Sequence, residues 1–125
     1  MKTIIHTPNA PAPIGPYSQA VQVGQTFYLS GQIAIDPATG HLITDDLAAE
    51  THQVMKNIGA ILDHVNLDFS AIVKSSIFLS NMDNFSEVNA IYGSYFSSDF
   101  PARETVEVAR LPKNVNVEIS VIAVK

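Results

Sequence analysis

The chain has only two arginines, Arg103 and Arg110, and Arg103 follows Phe100-Pro101-Ala102 at a point where a proline closes one path and a strand should begin. An arginine there offers a planar fork to a small carboxylate. Downstream, Val115-Asn116-Val117-Glu118-Ile119-Ser120-Val121 alternates apolar and polar residues, the period of a strand with one buried face. It carries a lone carboxylate, Glu118. A cation and an acid on strands could bind an anion and move a proton.

The elements that must position them are legible in the rest of the chain. Its 125 residues predict one domain spanning 1–125, burying roughly two-thirds of the unfolded surface. Pro8, Pro11, Pro13 and Pro16 remove backbone donors and make residues 7–16 an irregular lead-in. Strands are expected at Ala20 to Val23 and Thr26 to Ser30, joined by a Gly24-Gln25 hairpin turn. From Asp46 to Val65, Leu47, Val54, Ile58, Ile61, Leu62 and Val65 recur at helical spacing. Ile72 to Ser80 reads as a strand. A second helix is expected to follow, capped by Asn84 with Glu87 completing a capping box, its buried stripe formed by Phe85, Val88, Ile91, Tyr92, Tyr95 and Phe96. Closing strands at Arg103 to Arg110 and Val115 to Val124 flank the turn Leu111-Pro112-Lys113-Asn114. The order ββ-α-β-α-ββ predicts an α+β domain: a mostly antiparallel sheet with two helices on one face.

On the last strand Val115, Val117, Ile119, Val121 and Ala123 should lie under the helices. The other face mixes Glu118 with Ile122 and Val124, which calls for cover by another subunit. If the two closing strands pair across their turn, Arg103 falls opposite Ile122 and Glu118 opposite Glu107. Both then share the face away from the helices, roughly 13 Å apart. Joint action would need a subunit boundary.

Composition excludes other classes. Seven basic against twelve acidic residues, a net charge of -5, make nucleic acid a poor partner. No apolar run approaches the ~20 residues of a membrane span, and no signal-type block follows Met1. A soluble protein is expected. The absence of cysteine removes disulfide and thiolate chemistry and suits a reducing cytoplasm. His6, His41, His52 and His64 show no metal spacing, and the glycines form no phosphate cradle. No metal or cofactor is expected.

Several blocks in order carry a family resemblance: Ile14-Gly15-Pro16-Tyr17-Ser18-Gln19-Ala20, Ser30-Gly31-Gln32-Ile33, Val88-Asn89-Ala90-Ile91-Tyr92, Phe100-Pro101-Ala102-Arg103, and Val106 through Lys113. They resemble the Rid (YjgF-like) family of reactive-intermediate deaminases over nearly the whole chain. The resemblance implies a chorismate-mutase-like fold and a homotrimer with clefts between subunits. It also implies cofactor-independent hydrolysis of 2-imino acids, such as 2-iminobutanoate and 2-iminopropanoate from amino-acid dehydratases, to 2-keto acids and ammonia. In that chemistry Arg103 grips the substrate carboxylate, while Glu118 orients water and takes its proton. Tyr17 hydrogen-bonds the water or the nitrogen. Ser30, the backbone at Gly31, Asn89 and the backbone at Thr105 complete the pocket.

Two positions depart from the family pattern. Thr105 stands where many relatives carry cysteine, and Glu104 where serine is common. By strand alternation Glu104 points away from Arg103 and should not neutralise it directly. Two further readings stay open: a regulator that binds a metabolite in the same cleft without turnover, and an RNA-directed activity, which the acidic charge disfavours.

Overall fold

The computed structural model describes residues 1–125. Its sheet has six strands, β1 (Thr3–Ile5), β2 (Ala20–Val23), β3 (Thr26–Gln32), β4 (Ile72–Leu79), β5 (Ala102–Glu107) and β6 (Val117–Val124). The helices are α1 (Leu47–His64) and α2 (Phe85–Gly93). Laterally the strands run β1-β2-β3-β6-β4-β5. The α+β reading with both helices on one face holds, and the sheet is antiparallel except where β4 and β5 pair in parallel.

Local chemistry explains most elements. Gly24 adopts φ 61°, the positive first position of a two-residue turn, and Val23 pairs with Thr26 across it. Asp46 caps α1 by accepting from the Ala49 amide at 2.7 Å, a contact worth ~1 kcal/mol. The stripe Val54, Met55, Ile58, Ile61 and Leu62 is buried. Asn84, by contrast, makes no side-chain cap. It ends a 3-10 turn (Met82–Asn84) in helical conformation, so the chain runs into α2 without a break, and Asn81 caps that turn through the Asp83 amide. β1 gave no sequence signal, since three residues are too few to display a period.

The closing strands correct the expected pairing. β6 does not pair with β5: it lies between β3 and β4, while β5 forms the sheet edge. The burial pattern gives the reason. Val117, Ile119, Val121 and Ala123 are all within 3% of full burial, as a central strand requires, whereas every β5 residue except Thr105 is exposed. The connection between them runs through a 3-10 step (Pro112–Asn114), with Lys113 and Asn114 in left-handed φ, 55° and 56°.

That change moves Arg103. Its register partner on β4 is Ser75, which pairs with Val121 of β6, while Glu118 pairs with Phe78. Ser75 is buried beneath α2, so Arg103 points to the helix side and Glu118 to the outer face. The two do not share a face. Three residues along and two strands across put them roughly 14 Å apart in the sheet plane.

Candidate active site

Two separate cavities hold the candidate residues other than Thr105, which lines neither. The first, about 410 Å³, is lined by Tyr17, Ser30, Gly31 and Glu118, with an apolar wall that includes Pro11, Ala12, Ile14, Ile33, Ile35 and Pro112. The second, about 460 Å³, is lined by Arg103, Asn89, Tyr92, Gly93, Phe100 and Pro101.

In the first cavity β3 carries an extra residue between Leu29, which pairs with Val121, and Gln32, which pairs with Ile119. Such a bulge frees backbone from the ladder beside a site. Glu118 occupies the space this opens. A Cβ on Gly31 would lie 2.4 Å from Glu118 Oε2 and 2.9 Å from its Cδ, so glycine here makes room for the carboxylate. Gly31→Ala should therefore leave the fold intact but push Glu118 aside. We expect at least a tenfold loss of kcat, the scale on which a misplaced general base is felt, measured beside an unchanged thermal midpoint.

Burial raises the Glu118 carboxyl above the ordinary carboxylate value. Lys113 lines the same cavity, and the ionised carboxylate is placed to take a proton from water. Glu50, buried in the first turn of α1, sets its position: its oxygens accept from the amides of Asn116 and Val117 and from the Asn116 side chain at 2.7, 3.2 and 2.7 Å. Those residues immediately precede Glu118. The Ser30 hydroxyl donates to the Ser18 carbonyl at 2.5 Å, tying the Tyr17–Ser18 backbone to β3. Tyr17 is half exposed at the cavity.

The second cavity is built around a guanidinium held on three sides. Arg103 Nη1 donates to Asn89 Oδ1 at 2.7 Å, and its Cζ lies 5.6 Å from the Phe85 ring centroid and 5.3 Å from that of Tyr92. Tyr92 is fixed by donating to Ser75 Oγ at 2.8 Å. Aromatic faces and an amide oxygen orient the fork and leave its remaining donors for an anion. Phe85 and Tyr92, read from the sequence as core alone, thus also orient Arg103. Asn89 contacts the arginine directly. Thr105 lies on the same face of β5, its hydroxyl buried with no hydrogen-bond partner. Glu104 points away from Arg103, as alternation requires, but onto the outer face, because Arg103 itself lies on the helix side; Lys74 Nζ is 2.9 Å from it. Its hydrogen bonds to Ser76 and then Lys74 hold its carboxyl below the usual range.

Sequence reasoning missed the buried polar residues that shape the first cavity. Asn57 of α1 donates to the Ile33 and Ile35 carbonyls at 3.1 and 2.9 Å, and Gln19 binds the lead-in. A signal existed for Asn57 and Glu50, since both fall seven residues apart on the apolar stripe of α1, where a polar side chain needs a buried partner.

The bovine protein named 2-iminobutanoate/2-iminopropanoate deaminase is 49% identical over 125 residues, covering 100% of this chain and 91% of its own. A RutC family protein of Pyrococcus horikoshii is 46% identical, covering 100% and 99%. Among solved structures, a Rid-family protein of unknown function from Yersinia pestis superposes with a TM-score of 0.97 at 50% identity, covering 100% of both chains. No helix is long and apolar enough to cross a membrane. Residues 7–125 match the family described as endoribonuclease L-PSP, and with relatives this similar over the full length, the chain belongs to that family, the YjgF or Rid proteins.

Proposed function

We propose that the protein hydrolyses 2-imino acids to 2-keto acids and ammonia, in clefts of a homotrimer where Arg103 of one chain meets Glu118 of the next. The observation that supports this reading is the division of the site. An oriented carboxylate receptor lies at the sheet edge on one face, and a buried base lies in a cavity on the other, each incomplete alone. The deaminase name of close relatives points the same way.

The iminium carbon of the substrate is already electrophilic, so the site has three tasks. Arg103 holds the α-carboxylate through charge-assisted bonds. Glu118, ionised, removes a proton from water as the oxygen bonds to the carbon, giving a carbinolamine. That proton passes to the nitrogen; the C–N bond then breaks as the hydroxyl gives its proton to the freed Glu118 carboxylate and the C=O forms, and ammonia leaves, taking that proton as ammonium. Tyr17 can hydrogen-bond the water or the departing nitrogen.

A dehydratase generating 2-iminobutanoate in the presence of semicarbazide tests the reaction. The protein should suppress trapping, and binding of a 2-keto acid without suppression would replace the enzyme reading by a metabolite-binding one. Subunit mixing tests the cleft. Arg103→Ala and Glu118→Gln proteins, each reduced to a small residual activity, should regain activity when unfolded together and refolded, with roughly a quarter of sites intact by random assortment in a closed ring. No recovery would place both residues' work within one chain.

A further inference from the structure

Residues 8–14 make no backbone–backbone hydrogen bond outside the helices and strands, and three of them are proline, which has no amide proton to give. Yet Pro11, Ala12 and Ile14 of this stretch form one wall of the Glu118 cavity. Its polar ties to the rest of the fold come through Gln19. Gln19, 1% exposed, accepts from the Thr7 amide at 2.7 Å and shares its two Nε2 hydrogens among the carbonyls of Thr7, Ala10 and Pro11 at 3.0, 3.2 and 2.9 Å. Its own carbonyl accepts from the Ser30 amide at 2.9 Å. Gln19 thus links the lead-in wall to the Ser30–Gly31 bulge beside Glu118, alongside Ala10, which is buried in the core.

We propose that Gln19 is a positioning residue for substrate selectivity: it sets the lead-in against the cavity so that Ile14 and its neighbours receive the aliphatic side chain of the 2-imino acid. The inference rests on the function proposed above, because it places the substrate's carbon chain in the Glu118 cavity. The wall facing it, Ile33, Ile35 and Pro112, is also apolar. The wall can therefore reward each added methylene of the ligand, and it can do so only while it is held in place.

The experiment uses two stable 2-keto acids, pyruvate and 2-oxobutanoate, titrated calorimetrically into wild type, Gln19→Leu and Ile14→Ala. One buried methylene should make wild type bind 2-oxobutanoate about fourfold more tightly. Both variants should bring the ratio close to one. A purely structural role for Gln19 predicts instead that both affinities fall together and the fourfold ratio persists, which would overturn the proposal. Ile14 is 71% exposed, so its truncation leaves the core untouched, and a fourfold ratio surviving in Ile14→Ala would overturn the proposal even if Gln19→Leu did not fold. Equal binding of the two acids by wild type would overturn it as well. The imine-trapping assay on the same proteins separates the two ideas: a wild type that shows the affinity ratio without suppressing trapping sinks the deaminase reading and leaves the role of Gln19 standing.

Discussion

Arg103→Ala is expected to lower kcat/KM for 2-imino acids by two to three orders of magnitude, and Arg103→Lys to recover little of it. Truncating one partner of a charge-assisted pair in a closed cleft typically costs about 2–5 kcal/mol, and each 1.36 kcal/mol is tenfold. The substrate carboxylate is bound in ground and transition states alike, so a large part of the loss should appear in KM. Lysine fails for a geometric reason. The guanidinium lies against the Phe85 and Tyr92 rings and bonds Asn89, and a flexible ammonium cannot reproduce a flat, oriented fork. The fold should survive, because Arg103 sits on an exposed edge strand. Steady-state kinetics beside thermal unfolding checks both halves. A variant with near wild-type kcat/KM would remove Arg103 from the site.

Glu118→Gln should lower kcat by about 10²–10⁴, the range for loss of a positioned general base, and should alter two pH profiles. Burial raises the carboxyl above its ordinary value, and only the ionised form can accept water's proton. Activity of wild type should thus rise with pH along an acid limb lying above the usual glutamate range. That limb should be absent from the residual activity of the variant. Stability moves the other way. Below the unfolded-state pKa, Glu118 is neutral in both states and burial carries no charge penalty. As pH rises through the raised folded-state value, the folded protein must hold a charge that burial disfavours, and stability is lost. Glu118→Gln should therefore unfold at a higher temperature than wild type near neutral pH, with the gain vanishing below about pH 4. An enzyme both slower and more stable is the signature of a strained catalytic group. A variant destabilised at neutral pH would mean that the carboxylate is a structural anchor.

Much of this molecule is written locally. The period of α1, the alternation of β6 and the Gly24 turn each report which residues face inward, since a helix or strand repeats its orientation every few residues whatever it packs against. The residue types needed for carboxylate binding and proton transfer were equally legible at Arg103 and Glu118. So was the opposition of Glu104 to Arg103, which follows from strand alternation alone; which face each took was not.

The sequence by itself determined the two helices, the longer strands and the buried face of β6, and it offered Arg103 and Glu118 as candidate reactive groups. Only the tertiary structure decided how those groups are arranged. The path from β5 to β6 resembles a hairpin, and nothing local opposes that pairing; it loses because β6 buries a whole face between β3 and β4, a gain only distant strands can supply. With β5 sent to the edge, Arg103 and Glu118 part to opposite faces. The clamps by Gln19, Asn57 and Glu50 were hidden for the same reason. A buried amide or carboxylate reveals its purpose only when the distant backbone groups it satisfies have been brought to it.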